Sequence, residues 1–285
     1  MTVLNSISPD KLVRLIGRHD SPNLIDVCTD EDFDCDPRLV PGAVRRSHTN
    51  VSDWAQELAV GGRPAVVICQ KGLKLSQGAA AWLRHEGIPA DSLEGGALGW
   101  ATAGLPMVPV ATLPPRDARG RTVWVTRARP KVDRIACPWL IRRVVDPAAV
   151  FLFVNPSDVP GVAERFEATP FDIEGEGVVW SHRGELCTFD VMVEAFGLAG
   201  LEPLRRLAAI VRGADTARPD LAPEAAGLLA ASLGLSRMYA DDLAQLEAGM
   251  TLYDAFYRWC RDATDETHNW PTGHVATKPA REKAS

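Results

Sequence analysis

The sequence predicts an α/β first part, with a parallel sheet flanked by helices, and an α+β second part that ends in a helical region. In the first part, short apolar runs at 23–27 and 65–68 alternate with helical patterns such as 76–86. Strands that alternate with helices indicate a parallel sheet covered by helices. In the second part, strand patterns come first and helical patterns are concentrated at the end.

A proline- and arginine-rich segment separates these two patterns. We predict a first domain over residues 1–110, a linker over 111–121 and a second domain over 122–270. The polar residues 271–285 are predicted to form a disordered tail. A chain of 285 residues is long enough for two domains of ordinary size, each with its own core.

Composition and charge argue against several classes of protein. The chain is 46% hydrophobic and 24% charged with a net charge of -6, which argues against nucleic acid as a partner. No run approaches the ~20 apolar residues of a membrane span, and the N-terminal residues lack the apolar core of a signal peptide. The cysteines have no CxxC spacing and are expected to be reduced thiols. We therefore expect a cytoplasmic protein with no membrane partner.

Local signals define the elements of the first part. Branched and apolar residues predict strands at 23–27, 43–44 and 65–68. A helix is expected at 76–86, and Gly87 is the residue that would end it.

The second part is predicted to begin with strands at 122–126, 151–154 and 178–180, with a helix over 133–145 between the first two. Asp220 is a plausible N-cap for one of the later helices. Those later helices are expected at about 188–196, 201–212, 221–233 and 238–260.

The segment 66–76 carries the clearest chemical signal. A buried strand ends at Cys69, a short loop containing Gly72 follows, and a helix comes next. In this geometry, backbone N–H groups and the helix N-terminus face the sulfur. Lys71 and Lys74 add positive charge, so the loop favours a thiolate, a persulfide or an anionic donor such as thiosulfate. The alternative is a buried structural cysteine at the end of a strand.

Four segments in the expected order resemble the motifs of rhodanese-like sulfurtransferases. Cys69 followed by the basic residue Lys74 resembles the active-site loop of that family. Segments similar to its strand, turn and closing motifs lie at 24–27, 40–43 and 94–106.

The resemblance implies two-step covalent catalysis with Cys69 as the nucleophile. It implies a small anionic sulfur donor, a thiol or cyanide acceptor and no cofactor for the sulfur-transfer step. Asp26 belongs to the strand motif and is expected to be structural. Since Ser76 follows Cys69 by seven positions, a six-residue loop suited to sulfur transfer and a seven-residue loop suited to phosphate-like oxyanions both stay open. The substrate-binding residues would be Gln70, Lys71, Gly72, Leu73 and Lys74.

Basic residues dominate between Arg116 and Arg143, against only Asp117 and Asp133. This excess predicts a local positive surface that suits an oxyanion or another anionic partner. The alternative for Arg142 and for Arg143 is a solvated helix face whose side-chain stems cover the core.

A second group of chemically active residues lies further along the chain. His182, Glu185 and Cys187 are close in sequence, and Asp215 follows between two predicted helices. These residue types can form a metal site. We favour the alternative, a buried hydrogen-bonded network that caps helices, so that a metal in the second part stays a hypothesis.

Residues 121–262 resemble the C-terminal domain of ChrB-type chromate resistance proteins. The resemblance implies an association with chromate resistance and chromate-responsive regulation. We therefore expect a sulfurtransferase linked to chromate or oxyanion stress. The alternative is a chromate-responsive regulatory protein with an inactive rhodanese module. The matching strings include RPKVDRIACPWLIRR at 129–143, ATPFDIEG at 168–175, ELCTFD at 185–190 and YDAFYRWCRD at 253–262.

Overall fold

A computed structural model describes residues 5–266 of the chain. The predicted disordered tail over 271–285 lies outside the described residues. The elements of the first part are β1 (Ser6–Ile7), α1 (Pro9–Leu12), β2 (Asn23–Asp26), α2 (Asp30–Asp34), β3 (Arg38–Leu39), β4 (Ala43–Arg45), α3 (Val51–Gly61), β5 (Ala65–Ile68), α4 (Lys74–His85), β6 (Ala90–Leu93), α5 (Gly96–Thr102) and β7 (Val108–Pro109).

The first part is built on a parallel sheet with the strand order β1-β6-β5-β2-β4. Every residue of β5 is buried, as expected for a central parallel strand covered on both faces. Val66 and Ile68 join the core that contains α1 and α5. Ala65 and Val67 pack on the other face against α3 and α4, because successive side chains of a strand point to opposite faces. The predicted parallel sheet flanked by helices is confirmed.

The second part has a small parallel sheet in the order β10-β8-β9 and a run of helices after it. The predicted α+β pattern with a helical end is therefore observed. Its elements are β8 (Val123–Arg127), α6 (Asp133–Leu140), a π-helical turn (Ile141–Val145), β9 (Val150–Val154), α7 (Val159–Phe166), β10 (Thr169–Pro170), α8 (Thr188–Ala195), α9 (Glu202–Asp215), α10 (Ala225–Met238) and α11 (Asp242–Asp262).

Two predicted elements of the second part differ in the structure. The strand expected at 178–180 is reduced to an isolated bridge between Phe171 and Trp180. A turn just before it, closed by the amide of Val178 on the carbonyl of Gly175 at 3.3 Å, bends the chain away from an extended path. The helix expected over 133–145 changes to π geometry after α6.

Asp220 is not a helix N-cap, which corrects the sequence expectation. Residues Pro219–Leu221 form a short 3-10 turn, and α10 begins only at Ala225. Pro223 lies between them and lacks the amide hydrogen that a continuous helix would need there. The Asp220 carboxylate pairs with Arg218 at 3.0 Å instead.

The two parts share a hydrophobic core. One cluster of buried side chains includes Leu12 and Trp100 from the first part with Trp139 and Tyr257 from the second. The Tyr257 hydroxyl donates a hydrogen bond to the carbonyl of Ile16 at 3.3 Å. The division into separate domains with a linker over 111–121 stays a prediction. No helix among residues 5–266 is both long and apolar enough to cross a membrane.

Candidate functional site

Cys69 lies at the carboxyl end of β5, immediately before the loop that leads into α4. Its side chain is buried. In an open parallel sheet, ligands bind beyond the carboxyl ends of the strands, where the connecting loops meet. The structure therefore places the predicted nucleophile at the edge of the sheet where this fold class builds its sites.

Two glycines allow the Cys69 loop to pack against the turn before α5. Gly72 has a φ of +68°, and a Cβ atom there would lie 2.4 Å from the carbonyl oxygen of Leu93. Gly96 has a φ of +60°, and its Cβ would lie 2.0 Å from the carbonyl oxygen of Cys69. Neither approach is compatible with a larger residue. The glycine-rich closing motif of the sequence is thus a support for the cysteine loop.

The carbonyl groups of the loop are held on its α5 side. The amide of Ala97 donates to the carbonyl of Cys69 and the amide of Leu98 donates to that of Gln70, both at 3.0 Å. Because a trans peptide places its N–H opposite its C=O, the amides that follow these carbonyls point away from α5.

The amides of the loop are free to bind a ligand. Among residues 5–266, no acceptor receives a hydrogen bond from the backbone amides of 70–76. The Oγ of Ser76 lies 3.2 Å from the Sγ of Cys69. Unpaired amides that precede and open a helix form a cradle for an anion, and a negatively charged sulfur is such an anion.

The other predicted loop residues surround Cys69 without contacting its sulfur through hydrogen bonds. Lys71, Leu73 and Lys74 are exposed, while Gln70 is half-buried. Helix α4 begins at Lys74, two residues before the expected start, so that Lys74 occupies its first position. The assignment of these residues to substrate binding stays a prediction.

A cavity of about 340 Å³ opens at the same edge of the sheet, beyond β2 and β4. Arg45 lies over the ring of Phe33, 3.8 Å from its centroid, and pairs with Asp30 at 2.6 Å. Its Nη1 is buried and has no hydrogen-bond partner within residues 5–266. The Arg45 guanidinium can therefore donate to an anion, and sequence reasoning did not select it. The cavity is lined by Cys28, Thr29, Asp30, Arg45, Arg46, Ser47 and His48.

Asp26 and Cys28 organise the chain beside Cys69. The buried Asp26 carboxylate accepts a hydrogen bond from the amide of Cys28 at 2.9 Å, and its assignment to a structural role stays a prediction. Burial raises the pKa of Asp26. Burial, followed by the charge of Asp26, also raises the pKa of the Cys28 thiol, so this thiol stays protonated near neutral pH.

A second cluster gathers around His182 in the other part of the chain. Its Nε2 lies 3.1 Å from Asp215 Oδ2, 3.5 Å from Asp172 Oδ1 and 3.7 Å from Asp133 Oδ2. Asp133 begins α6 and Asp215 ends α9, while Asp172 and His182 lie in the loops around the Phe171–Trp180 bridge. The structure thus brings together groups that are up to 82 residues apart along the chain.

Electrostatics in this cluster follow from burial and from like charges. Burial raises the pKa of Asp133, with further contributions from Asp215 and Asp172. Burial and then Asp172 raise the pKa of Asp215. The hydrogen bond to Asp172 raises the pKa of His182 to about 9, against an opposing effect of burial and with support from the other carboxylates. In the absence of another cation, His182 is therefore protonated near neutral pH.

Two of the predicted ligands are not part of this cluster. Glu185 is exposed. Cys187 is buried, and its Sγ donates to Asp190 Oδ2 at 3.2 Å, where it belongs to the cap of α8. Burial strongly raises the pKa of the Cys187 thiol. The helix-capping interpretation is correct for Cys187, whereas His182 and Asp215 join Asp133 and Asp172, which sequence reasoning did not select.

The predicted positive surface over Arg116–Arg143 is largely neutralised in the structure. Several of its arginines meet carboxylates from outside the segment, which explains why local charge counting overestimated the effect. The pairs are Arg116 with Asp146, Arg134 with Asp172, Arg142 with Glu247 and Arg143 with Asp254.

The fold and sites define a two-part protein with a cysteine at the edge of a parallel α/β sheet and an acidic His182 cluster in an α+β part. Residues 124–260 match the family model of the ChrB C-terminal domain. Protein ChrB of Cupriavidus metallidurans is 34% identical over 143 residues, which are 50% of this chain and 42% of that relative. The chain therefore covers less than half the length of this relative.

Solved structures similar to this chain include a thiosulfate sulfurtransferase from Pseudomonas aeruginosa. It is 26% identical, with 37% of this chain and 19% of that chain covered and a TM-score of 0.32. A rhodanese-related protein from Thermoplasma volcanium is 20% identical, with 36% of this chain and 97% of that chain covered and a TM-score of 0.30. Residues 124–260 are thus similar to the ChrB C-terminal domain, and 36–37% of the chain is similar to these solved structures.

Proposed function

We propose that the protein is a sulfurtransferase that carries sulfane sulfur as a persulfide on Cys69. The observation that carries the proposal is the position of the Cys69 sulfur beside a loop and helix start whose amides, 70–76, have no acceptor within residues 5–266. Such amides stabilise a charged sulfur and the anion that delivers it. The donor would be a small anion such as thiosulfate, and the acceptor a thiol or cyanide.

The first step transfers one sulfur atom to the enzyme. The Cys69 thiolate attacks the sulfane sulfur of thiosulfate, a new S–S bond forms, and the S–S bond of thiosulfate breaks as sulfite leaves with the electron pair. The Ser76 hydroxyl, which donates to the carbonyl of Leu73, lies 3.2 Å from the Cys69 sulfur and would turn its proton to that sulfur as the thiolate forms. The exposed Lys71 and Lys74 would attract the anion to the loop.

The second step returns Cys69 to its thiolate form. A thiolate or cyanide attacks the outer sulfur of the persulfide, and the persulfide S–S bond breaks with its electron pair left on Cys69 Sγ. The product is an acceptor persulfide or thiocyanate, and no external oxidant or reductant is consumed. The free amides of the loop would stabilise the charge on the outer sulfur before it leaves.

We further propose that this chemistry serves resistance to chromate or a related oxyanion. The ChrB match over residues 124–260 supports this part of the proposal. Chromate, sulfate and thiosulfate are all tetrahedral oxyanion-type species, so a protein that handles one can be exposed to the others. A regulatory role with an inactive first part is the competing function.

The test is the intact mass of the reduced protein after incubation with thiosulfate. We expect the wild type to gain one sulfur atom and the Cys69→Ser variant to gain none. Cys28→Ser, which removes a neighbouring buried thiol, and Cys35→Ser, which removes an exposed one, are the matched controls and should gain sulfur as the wild type does. No gain in the wild type, or a gain that persists in Cys69→Ser, would overturn the proposal and favour the regulatory function.

A further inference from the structure

Three carboxylates converge on one imidazole in the His182 cluster, at separations that suit a shared metal ion. The distances from His182 Nε2 to the nearest oxygens of Asp215, Asp172 and Asp133 are 3.1, 3.5 and 3.7 Å. Ligands about 2.1 Å from one ion are separated by ~3.0 Å at right angles and by ~3.4 Å in a tetrahedron. One ligand atom from each of Asp133, His182 and Asp215 lies within 4.8 Å of the others.

Asp133 gives an independent reason to expect a bound cation. Its side chain is fully buried, and its Oδ1 has no hydrogen-bond partner among the described residues. Its Oδ2 accepts a long hydrogen bond from the amide of Phe189, at 3.3 Å, and faces His182. Burial raises the pKa of Asp133, and a hydrogen bond from the nearby Cys187 thiol partly opposes this rise. A buried carboxylate with an unpaired oxygen is costly unless a cation or another donor satisfies it.

The remaining groups around the cluster hold the carboxylates in place. Thr188 donates to Asp172 Oδ1 at 2.9 Å, and Arg134 lies 3.2 Å from Asp172 Oδ2. The amide of Asp133 approaches Asp215 Oδ1 at 3.4 Å. Partners of this kind orient the ligands of a metal ion and set their basicity.

His182 also connects the cluster to solvent. Its side chain is 42% exposed, whereas those of Asp133, Asp172 and Asp215 are 0%, 8% and 18% exposed. A cavity of about 560 Å³ lies on the His182 side and is also lined by Arg212, Thr216 and Arg218. A cation held by the cluster would therefore have a route of entry and a coordination position open to water or an anion.

We propose that Asp133, His182 and Asp215 form a mononuclear site for a divalent first-row transition metal ion, with Asp172 beside it. The donor set contains one imidazole and carboxylate oxygens, a combination that suits Mn²⁺, Fe²⁺ or Zn²⁺. It contains no thiolate, because the Cys187 sulfur is directed to Asp190, so a soft ion such as Cu⁺ is not favoured. The site goes beyond the proposed sulfur transfer, which needs no metal.

The test is a titration of the full chain, freed of metal with a chelator, with Mn²⁺. Electron paramagnetic resonance follows the free ion, and Mn²⁺ is chosen because the protein's thiols bind it weakly. We expect one ion bound per chain and displacement by Zn²⁺. His182→Gln and Asp215→Asn should each weaken binding by at least about tenfold, since loss of even an outer-sphere partner costs that much.

The matched control is Glu185→Gln, which removes an exposed carboxylate near His182 and should bind Mn²⁺ as the wild type does. Because His182 is exposed, its replacement should leave the fold intact, and circular dichroism of each variant verifies this. Absence of stoichiometric binding in the wild type would overturn the proposal, as would equal binding by His182→Gln and wild type. The cluster would then be an ion-pair network around protonated His182. Cys69→Ser should bind Mn²⁺ normally, which separates this proposal from the proposed function.

Discussion

The Cys69 sulfur and the Ser76 hydroxyl oxygen lie 3.2 Å apart, across the start of α4. The same hydroxyl oxygen lies 3.2 Å from the carbonyl oxygen of Leu73, to which it donates. The hydroxyl can thus accept from the Cys69 thiol while bonded to Leu73, and it can turn its proton to the sulfur when the thiolate forms. The serine is therefore placed to respond to the charge on Cys69.

We expect Ser76→Ala to slow persulfide formation by about tenfold, which corresponds to the loss of one hydrogen bond to a charged group. The measurement is the initial rate of sulfite release from thiosulfate under single-turnover conditions. Ser157→Ala, which removes an exposed serine remote from the loop, should leave the rate unchanged. An unchanged rate in Ser76→Ala would mean that the loop amides alone stabilise the sulfur.

Gly96→Ala should lower the free energy of unfolding by more than ~2 kcal/mol, because it combines a positive φ with a steric clash. The new methyl group would lie 2.0 Å from the Cys69 carbonyl oxygen and 2.4 Å from the amide nitrogen of Gly72. Urea denaturation measures this change in the free energy of unfolding. Gly78→Ala is the matched control in α4, where no atom lies within 4 Å of the added Cβ, and it should stabilise by up to ~1 kcal/mol. Equal stability of the two variants would contradict this account of the loop.

Asp26 should make stability fall as the pH rises above about 4. Burial raises its pKa above the ordinary value of 3.8, so the folded protein retains a proton that the unfolded chain has released. The contribution of Asp26 to stability is complete below the ordinary pKa of 3.8 and is lost as the pH rises through the pKa of the folded state. Asp26→Asn cannot ionise. As the pH rises through this range, its free energy of unfolding, measured in urea, should therefore increase relative to that of the wild type.

Asp20→Asn is the control of opposite sign for Asp26. The Arg18 guanidinium lowers the pKa of Asp20, so the wild type should lose stability relative to this variant as the pH falls. The effect should be small because the pair is largely exposed to solvent. Parallel pH profiles of Asp26→Asn and wild type would show that Asp26 does not titrate differently in the two states.

Tyr257→Ala should destabilise both parts of the chain together. The ring is buried 5.2 Å from that of Trp139, and the hydroxyl bonds to Ile16 in the first part. Removal of a buried aromatic ring costs ~3–5 kcal/mol. Urea unfolding is followed with two probes, tryptophan fluorescence and the labelling of Cys69. The midpoint of the transition should shift by the same amount with both probes. Arg258→Ala, an exposed position on the same helix, should leave both midpoints unchanged. If the two probes gave different midpoints for Tyr257→Ala, the two parts would unfold independently.

Occupation of the His182 cluster should raise the melting temperature. A ligand that binds only the folded state stabilises by about 2.7 kcal/mol when its free concentration is 100 times the dissociation constant. Mn²⁺ at that excess should raise the melting temperature of the wild type, and a chelator should reverse the effect. His182→Gln should show no such rise at the same concentration; a rise of equal size would indicate that the ion acts elsewhere.

Local sequence was informative wherever the signal is contained in neighbouring residues. The four buried residues of β5 and the glycines around Cys69 define a strand, a loop and a helix start without reference to the rest of the chain. The same holds for the alternation of strands and helices that predicted a parallel sheet. Boundaries were less certain, as at α4 and at 178–180, because the end of an element depends on contacts beyond it.

By itself, the sequence determined the fold class of both parts, the similarity of residues 124–260 to the ChrB C-terminal domain and the choice of Cys69 as the candidate nucleophile, since each rests on residues that are close together in the chain. Only the tertiary structure decided which acids surround His182. Asp133 lies 82 residues before Asp215, and they meet because α6 packs near the end of α9. It also decided that several arginines of 116–143 are paired, such as Arg142 with Glu247 and Arg143 with Asp254, because those carboxylates lie on the distant helix α11. Charges and ligands that converge from separate elements have no local signature, and their arrangement depends on how those elements pack.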